Sequence, residues 1–371
     1  MTNQILIVAI SLILGCACGV IMHRSDFCLA GAIRDFFLFG NSPLFPSLIL
    51  LITLNMIFFE LARLSGFVVY ELPSSLYGLP SLTTLFGGIL FGIGMVLAGG
   101  CVVGVLYKAG AGSVSAFVAI VGLLIGSLLY VAIHPYWVSM AQLTRLSAVA
   151  TVPQLLGLNQ TMTLFWVVVA LGFFLVRRHR QNMLVRPSFV KNYLQPWKAA
   201  VLLALVSLIS FATVGMPLGI TSSYSKVGTF IAQYFAPTWI SAQEFLQVLG
   251  FAYYSPIADT ILRAGPGPYL DGLSVVQFPL IAGIVLGSFG SCVQMKKFSL
   301  HWNIPVVQFL SAFSGGMLMG MASRMSPACN VWHLLGGIPL LSLQSLLFFV
   351  GLFPGAWIGT RLLTRLVVRV G

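Results

Sequence analysis

The sequence is short of charge. Of 371 residues, 7% are Asp, Glu, Lys or Arg, and only seven are acidic. Ordinary soluble domains carry roughly 25% charged residues, so no soluble fold explains this composition. The chain also has no CxxC pair and no HExxH string, and its five histidines are scattered. A zinc site is disfavoured on those grounds, and neither a metal nor a cofactor is expected. The opening stretch, residues 1–22, lacks a basic n-region and a small-residue cleavage site, and it leads straight into further apolar sequence. It is expected to be a first membrane helix and not a signal peptide.

Hydrophobic residues make up 58% of the chain. Apolar runs of about 18 residues or more recur along its length, each able to cross roughly 30 Å of hydrocarbon as a helix. Uninterrupted spans are expected near 4–22, 45–65, 113–133, 161–176, 197–215, 275–293 and 342–361. Five other apolar stretches, 23–38, 84–107, 219–235, 243–256 and 305–337, are broken by Gly, Pro, Ser and isolated charges, as re-entrant or discontinuous helices are. The expected fold is an all-α polytopic membrane protein with about nine transmembrane helices plus short re-entrant half-helices.

The net charge of +12 does not point to nucleic acid, because the 19 Lys and Arg sit between apolar segments. Arg177, Arg178, Arg180, Arg186, Lys191 and Lys198 share one loop, and Arg361, Arg365 and Arg369 lie near the C-terminus. The positive-inside rule puts both regions in the cytoplasm. An odd span count then leaves the N-terminus outside.

An internal echo suggests two pseudo-symmetric repeats. Gly87-Gly88-Ile89-Leu90-Phe91-Gly92 recurs as Gly315-Gly316-Met317-Leu318-Met319-Gly320, with Cys101 and Cys329 in the same register, 228 residues apart. A weaker echo pairs Gly19-Val20-Ile21 with Gly219-Ile220-Thr221, each read as opening a broken segment. The expected organisation is a first repeat over 1–176, a basic cytoplasmic loop over 177–198 and a second repeat over 199–371.

Six cysteines remain to be sorted. Cys16 and Cys18 are two apart on a helix, hence on nearly opposite faces, and read as packing thiols, as does Cys292 beside Lys296 and Lys297. Cys28, Cys101 and Cys329 differ, since each sits in a broken segment beside residues that free the backbone or carry charge. Arg24 marks either a path entrance or an interface. Arg34 and Asp35 are expected to pair and fix the segment they share. Thr221 and Ser222 open a short helix, where capping and anion contact are both open. Trp332 and His333 read as interface or packing residues.

At these residues the sequence resembles the YeeE/YedE sulfur-transport family. The strings running from His23 through Cys28 to Asp35 and from Val96 through Cys101 to Gly104 look like its two N-terminal signatures, and Tyr107–Gly112 continues the second. Gly219-Ile220-Thr221-Ser222 resembles its third element; Cys329-Asn330 with Gly337-Ile338-Pro339 resembles its fourth. The resemblance implies a thiosulfate uptake protein of the bacterial inner membrane, built from pseudo-symmetric halves with short helices pointing inward from both sides. It further implies that Cys28, Cys101 and Cys329 hand the anion inward by transient S–H···S contacts. Gly99, Gly100, Arg24, Thr221, Ser222 and Asn330 are the other candidates along that path. Broken-helix N-termini can offset the Born cost of a dianion without trapping it, and thiols are weak donors that release their ligand easily. Possible partners are therefore the small inorganic sulfur anion, the bilayer and a cytoplasmic sulfur-carrier protein.

The sequence departs from the family's pattern in three places. Pro327 stands before the last cysteine and offers no N–H. Ala111 removes an acidic partner expected for Lys108, and Arg324 adds a positive charge. The stretch from Ala322 to Cys329-Asn330 also resembles the selenium-associated branch, so uptake of a selenium or another sulfur species is an alternative. A membrane sulfur-transfer enzyme using a cysteine persulfide is a further rival. Such an enzyme needs a base and an electropositive setting for its nucleophile. Apart from His23 and His333, no histidine lies near the three cysteines, and their surroundings are apolar.

Overall fold

The computed structural model describes residues 2–368 except 41, 67, 69–72, 74, 75, 77, 189–191, 301 and 303. Lys191 and Arg369, used above in the topology argument, lie outside the described residues.

In chain order the helices are α1 (Thr2–Ser25), α2 (Leu29–Phe39), α3 (Leu44–Leu64), α4 (Leu82–Leu97), α5 (Val102–Gly110), α6 (Val114–Leu143), α7 (Val152–Leu156), α8 (Gln160–Arg180), α9 (Pro196–Val214), α10 (Thr221–Phe235), α11 (Pro237–Ser241) and α12 (Glu244–Gln247). A hairpin of β1 (Phe251–Ser255) and β2 (Thr260–Ala264) follows, then α13 (Gly272–Gln294), α14 (Val306–Met325), α15 (Asn330–Trp332) with a π turn over His333–Gly337, and α16 (Leu343–Leu363). Among the described residues nine helical stretches are long and apolar enough to cross a membrane, the number expected. They are led by α1, α3, α4, α6, α8, α9, α13, α14 and α16.

The core is built from helix pairs that run in the same direction and touch through glycines. Gly15 meets Leu280 and Gly283, Gly19 meets Ile284 and Ser288, and His23 Nδ1 reaches Ser291 Oγ at 3.0 Å, so α1 tracks α13 from end to end. The repeated glycine string does the same job twice. Gly88 and Gly92 lie on the backbone of Phe348 and Leu352, joining α4 to α16. Gly316 and Gly320 lie on Ala119 and Leu123, joining α14 to α6. A Cβ at Gly316 would sit 2.1 Å from the Ala119 carbonyl oxygen, so only hydrogen fits at that approach. The fourth pair, α3 and α9, is closed by Phe59 stacked on Phe211 with centroids 4.1 Å apart.

Two expectations change. The stretches 84–107 and 305–337 are broken as expected, each holding most or all of a long helix, α4 or α14, of about 24 or 30 Å at 1.5 Å per residue, followed by a short one. The stretch 243–256 is not a broken helix. Its aromatic run Phe251-Ala252-Tyr253-Tyr254 forms β1, paired antiparallel with β2 in the register Phe251↔Ala264 to Ser255↔Thr260. Apolar periodicity over so few residues does not separate strand from helix. Gly19 opens no broken segment: it lies within α1, packed on Ile284, and the break in that part of the chain comes at Cys28.

The basic segment after α8 folds back over the end of α1. Leu194 N–H donates to the Arg24 carbonyl, Arg24 Nη2 donates to Gln294 Oε1 at 2.5 Å, and Arg186 pairs with Asp26 at 3.5 Å. The ends of α1, α8 and α13 and the start of α9 thus share one face, called the basic face below. The start of α13, the end of α14 and the start of α16 lie on the opposite face.

Candidate functional site

Four short helices begin inside the bundle: α2, α5, α10 and α15. Three of them have a cysteine at the residue that caps their N-terminus, Cys28 for α2, Cys101 for α5 and Cys329 for α15, each in extended backbone conformation and each buried. The first residues of α5 and α15 are 228 positions apart. A helix N-terminus carries unpaired N–H groups and a partial positive charge, so these caps sit where an anion is stabilised.

Cys28 and Cys101 meet across Gly104. A Cβ at Gly104 would lie 2.8 Å from the Cys28 sulfur and 3.4 Å from the Cys101 sulfur. The Gly104 N–H donates to Cys101 Sγ at 3.3 Å, so the thiol caps its own helix through sulfur. Any side chain at Gly104 would displace one of the two thiols. Gly99, at φ +72°, makes the left-handed turn between α4 and α5, and its carbonyl accepts from Lys108 Nζ at 2.5 Å. Lys108, which has Ala111 where an acid was expected, is therefore held by backbone. Gly100 packs on the backbone of Gly104 and Val105.

On the other side, the buried Asn330 amide lies within reach of Cys101 and has no other hydrogen-bond partner among the described residues. Cys329 has the Thr221 hydroxyl within hydrogen-bonding reach. Arg324 Nη2 donates to Thr221 Oγ1 at 2.9 Å, and its Nη1 lies 3.4 Å from Ser222 Oγ. The turn that carries Pro327 is braced without its N–H. His333 Nε2 donates to the Ser326 carbonyl at 2.8 Å, which leaves Nδ1 to accept from Ser345 Oγ at 2.9 Å. The structure thus brings together Cys28, Cys101 and Asn330, and, beside them, Cys329, Thr221 and Ser222.

Two candidates stand apart. Arg24 lies at the basic face on Ser291 and Gln294, away from the sulfurs. Arg34 pairs with its neighbour Asp35 at 2.8 Å on α2. The sequence reading missed Asp26 and Tyr107: the buried Tyr107 hydroxyl donates to Asp26 Oδ1 at 3.1 Å, just before Cys28. The signal available was Asp26 itself, an acid in a chain with seven. Cys18 lines a small apolar cavity together with Phe27, Leu218 and Ile220, and Cys292 faces the Ala111 carbonyl. Among the described residues no cluster of His, Cys, Asp and Glu could hold a metal.

A cavity of about 680 Å³ opens on the face opposite the basic segment, with Ser222, Arg324 and Pro327 in its wall. A smaller one, of about 50 Å³, shares Ser222 and Pro327 with it and adds Thr221, Ala328 and Trp332. The start of α10 therefore lies between the large cavity and Cys329.

The sequence family described as Sulphur transport matches residues 24–358. The thiosulfate transporter TsuA of Spirochaeta thermophila is 29% identical over 369 residues, covering 94% of this chain and 97% of that protein. The thiosulfate transporter TsuA of Escherichia coli K12 is 26% identical over 364 residues, covering 93% and 92%. The probable transporter YedE of Salmonella typhimurium is 26% identical over 185 residues, covering 50% of this chain and 42% of that protein.

Proposed function

The chain belongs to the sulphur-transport family, and from that premise we propose that it takes up thiosulfate through a central path lined by the thiols of Cys28, Cys101 and Cys329. It is a multi-pass membrane protein of a transporter family, not an enzyme. The observation that carries the proposal is the placement of those three cysteines at the caps of three short helices, with the sulfurs of Cys28 and Cys101 side by side at Gly104. Three N-termini offset much of the cost of bringing a dianion into hydrocarbon. Neutral thiols and the Asn330 amide then donate weakly, which lets the anion leave each station for the next. Gly99 and Gly100 shape the Cys101 cap, and Thr221 and Ser222 receive the anion from the larger cavity.

The proposal includes two halves of opposite orientation, residues 1–176 and 199–371, joined by the basic loop 177–198. Its support is the pairing of α4 with α16 and of α14 with α6 through the same glycine string, and the matching contacts of Gly87 with Ser326 and of Gly315 with Ala98. We place the protein in the bacterial inner membrane with the basic face and the C-terminus in the cytoplasm. Thiosulfate entering by the large cavity is then delivered at the basic face, where a sulfur-carrier protein could receive it.

Expression in a bacterial strain stripped of its own thiosulfate and sulfate uptake is expected to restore growth on thiosulfate as sole sulfur source. No growth despite confirmed membrane insertion would remove thiosulfate and leave a selenium or other sulfur species as the cargo. Orientation has its own test, because a reporter fused after Gly371 should be active only in its cytoplasmic form. Periplasmic activity would overturn the placement of the basic face.

A further inference from the structure

Arg324 is a guanidinium without a counter-ion among the described residues. It ends α14, its Nε is buried with no hydrogen-bond partner among those residues, and its other contacts there are the neutral hydroxyls of Thr221 and Ser222. Among the described residues it forms no ion pair, although the same protein pairs the fully buried Lys226 with Asp271. An unpaired buried charge is unfavourable and persists only where something else neutralises it. The wall of the 680 Å³ cavity makes the same point independently. Its charged and titratable lining is Arg324, Arg145, His134 and Tyr130, with no Asp or Glu among the described lining residues. Arg145 is satisfied at the rim by the Ser147 and Ala148 carbonyls. Arg324 is set deeper, beside the N-terminus of the 15-residue α10.

We infer that Arg324, with the Thr221 and Ser222 hydroxyls and the first N–H groups of α10, is a recognition site for the oxygen end of a tetrahedral sulfur oxyanion. The inference rests on the transport reading for its cargo and deepens it by naming what selects that cargo at the mouth of the path. A guanidinium presents parallel N–H donors that match two oxygens of a sulfonate group at once. Thr221 touches both Arg324 and Cys329. An anion held by its oxygens here therefore has its terminal sulfur within reach of the first thiol. The class of ligand follows: thiosulfate binds, sulfate competes because it carries the same oxygens, and thiocyanate, a linear monoanion with no oxygen, does not.

The test is direct binding to detergent-purified full-length protein by calorimetry, with thiosulfate, sulfate and thiocyanate as separate probes. Arg324→Gln is expected to weaken both thiosulfate and sulfate by at least about tenfold, through loss of a charge-assisted bidentate contact. Arg324→Lys keeps the charge, loses the fork and should fall between parent and Arg324→Gln for both ions. It also keeps the inference testable if Arg324→Gln proves polydisperse on size exclusion. Thiosulfate and sulfate binding in either monodisperse variant within twofold of the parent would overturn the inference, as would a parent that binds thiocyanate as well as sulfate, or binds neither oxyanion. A parent that binds sulfate in an Arg324-dependent way but fails to support growth on thiosulfate would uphold this site and sink the cargo assignment instead.

Discussion

Replacing Cys101 with alanine is expected to cut thiosulfate uptake in proteoliposomes by about one to two orders of magnitude while leaving the protein monodisperse. Cys101 is fully buried, touches Cys28 through the space at Gly104, faces Asn330 and accepts the Gly104 N–H. On the proposed path, alanine removes a midway donor and, with it, a helix cap. An anion left one hydrogen bond short in a buried site loses about 1–3 kcal/mol, roughly 5- to 150-fold in rate if the loss falls on the barrier. Serine keeps a donor and caps α5 at least as well, so Cys101→Ser should retain part of the activity. Alanine at Cys28 or Cys329 should be less severe, because the proposed path places each nearer an end. A thiol-transfer enzyme would behave otherwise, with serine as inactive as alanine. Equal loss in Cys101→Ser and Cys101→Ala would therefore count against a relay of neutral donors.

The second large effect is on stability. Lys226→Ala should lower the midpoint of thermal unfolding in detergent by about 5–15 °C, as expected when about 3–5 kcal/mol is lost by leaving a buried charge unpaired. Lys226 is completely buried on α10, 2.7 Å from Asp271 Oδ2, with the Tyr269 carbonyl at 3.0 Å and the Tyr269 ring centroid 4.5 Å from its nitrogen. Asp271 in turn caps α13 through the Leu273 and Ser274 N–H groups and accepts from Gly265. The pair ties the re-entrant α10 to the hairpin side of the bundle. Removing the lysine alone leaves a buried carboxylate with hydrogen bonds but no opposite charge. Lys226→Met with Asp271→Asn should recover much of the loss, since Asn still caps α13 and no lone charge remains. A Lys226→Ala midpoint within about 2 °C of the parent would mean the pair is not buried in the folded protein.

The spans and the breaks that carry the three cysteines were legible in the sequence because each is written in consecutive residues. Apolar runs such as 45–65 need no knowledge of their neighbours, and Gly99-Gly100-Cys101 marks its own break. Features that depend on distant partners were not legible. The Tyr107–Asp26 bond joins residues 81 apart, and the Lys226–Asp271 pair joins residues 45 apart. Lys226 read alone is one more charge in a broken segment. Arg324 stood out as a charge the family does not require, yet its lack of an ion pair among the described residues can be seen only in three dimensions. The hairpin was missed because Phe251–Ser255 is as apolar as a buried helix turn.

The helix α8 is the odd member of the nine. Its flanks Met162, Phe165, Trp166 and Phe173 are exposed, and it touches the rest mainly through α3. On the inverted-halves reading, four crossings precede it (α1, α3, α4, α6) and four follow (α9, α13, α14, α16). An even block ends on the side where it began, so one additional crossing is what turns the second block upside down. The arginines at the end of α8 fix that flip, since they hold the junction on the basic face. A chain without α8 would have to insert both blocks in the same sense. The short helices would then all enter from one leaflet, and their N-termini would no longer meet head to head.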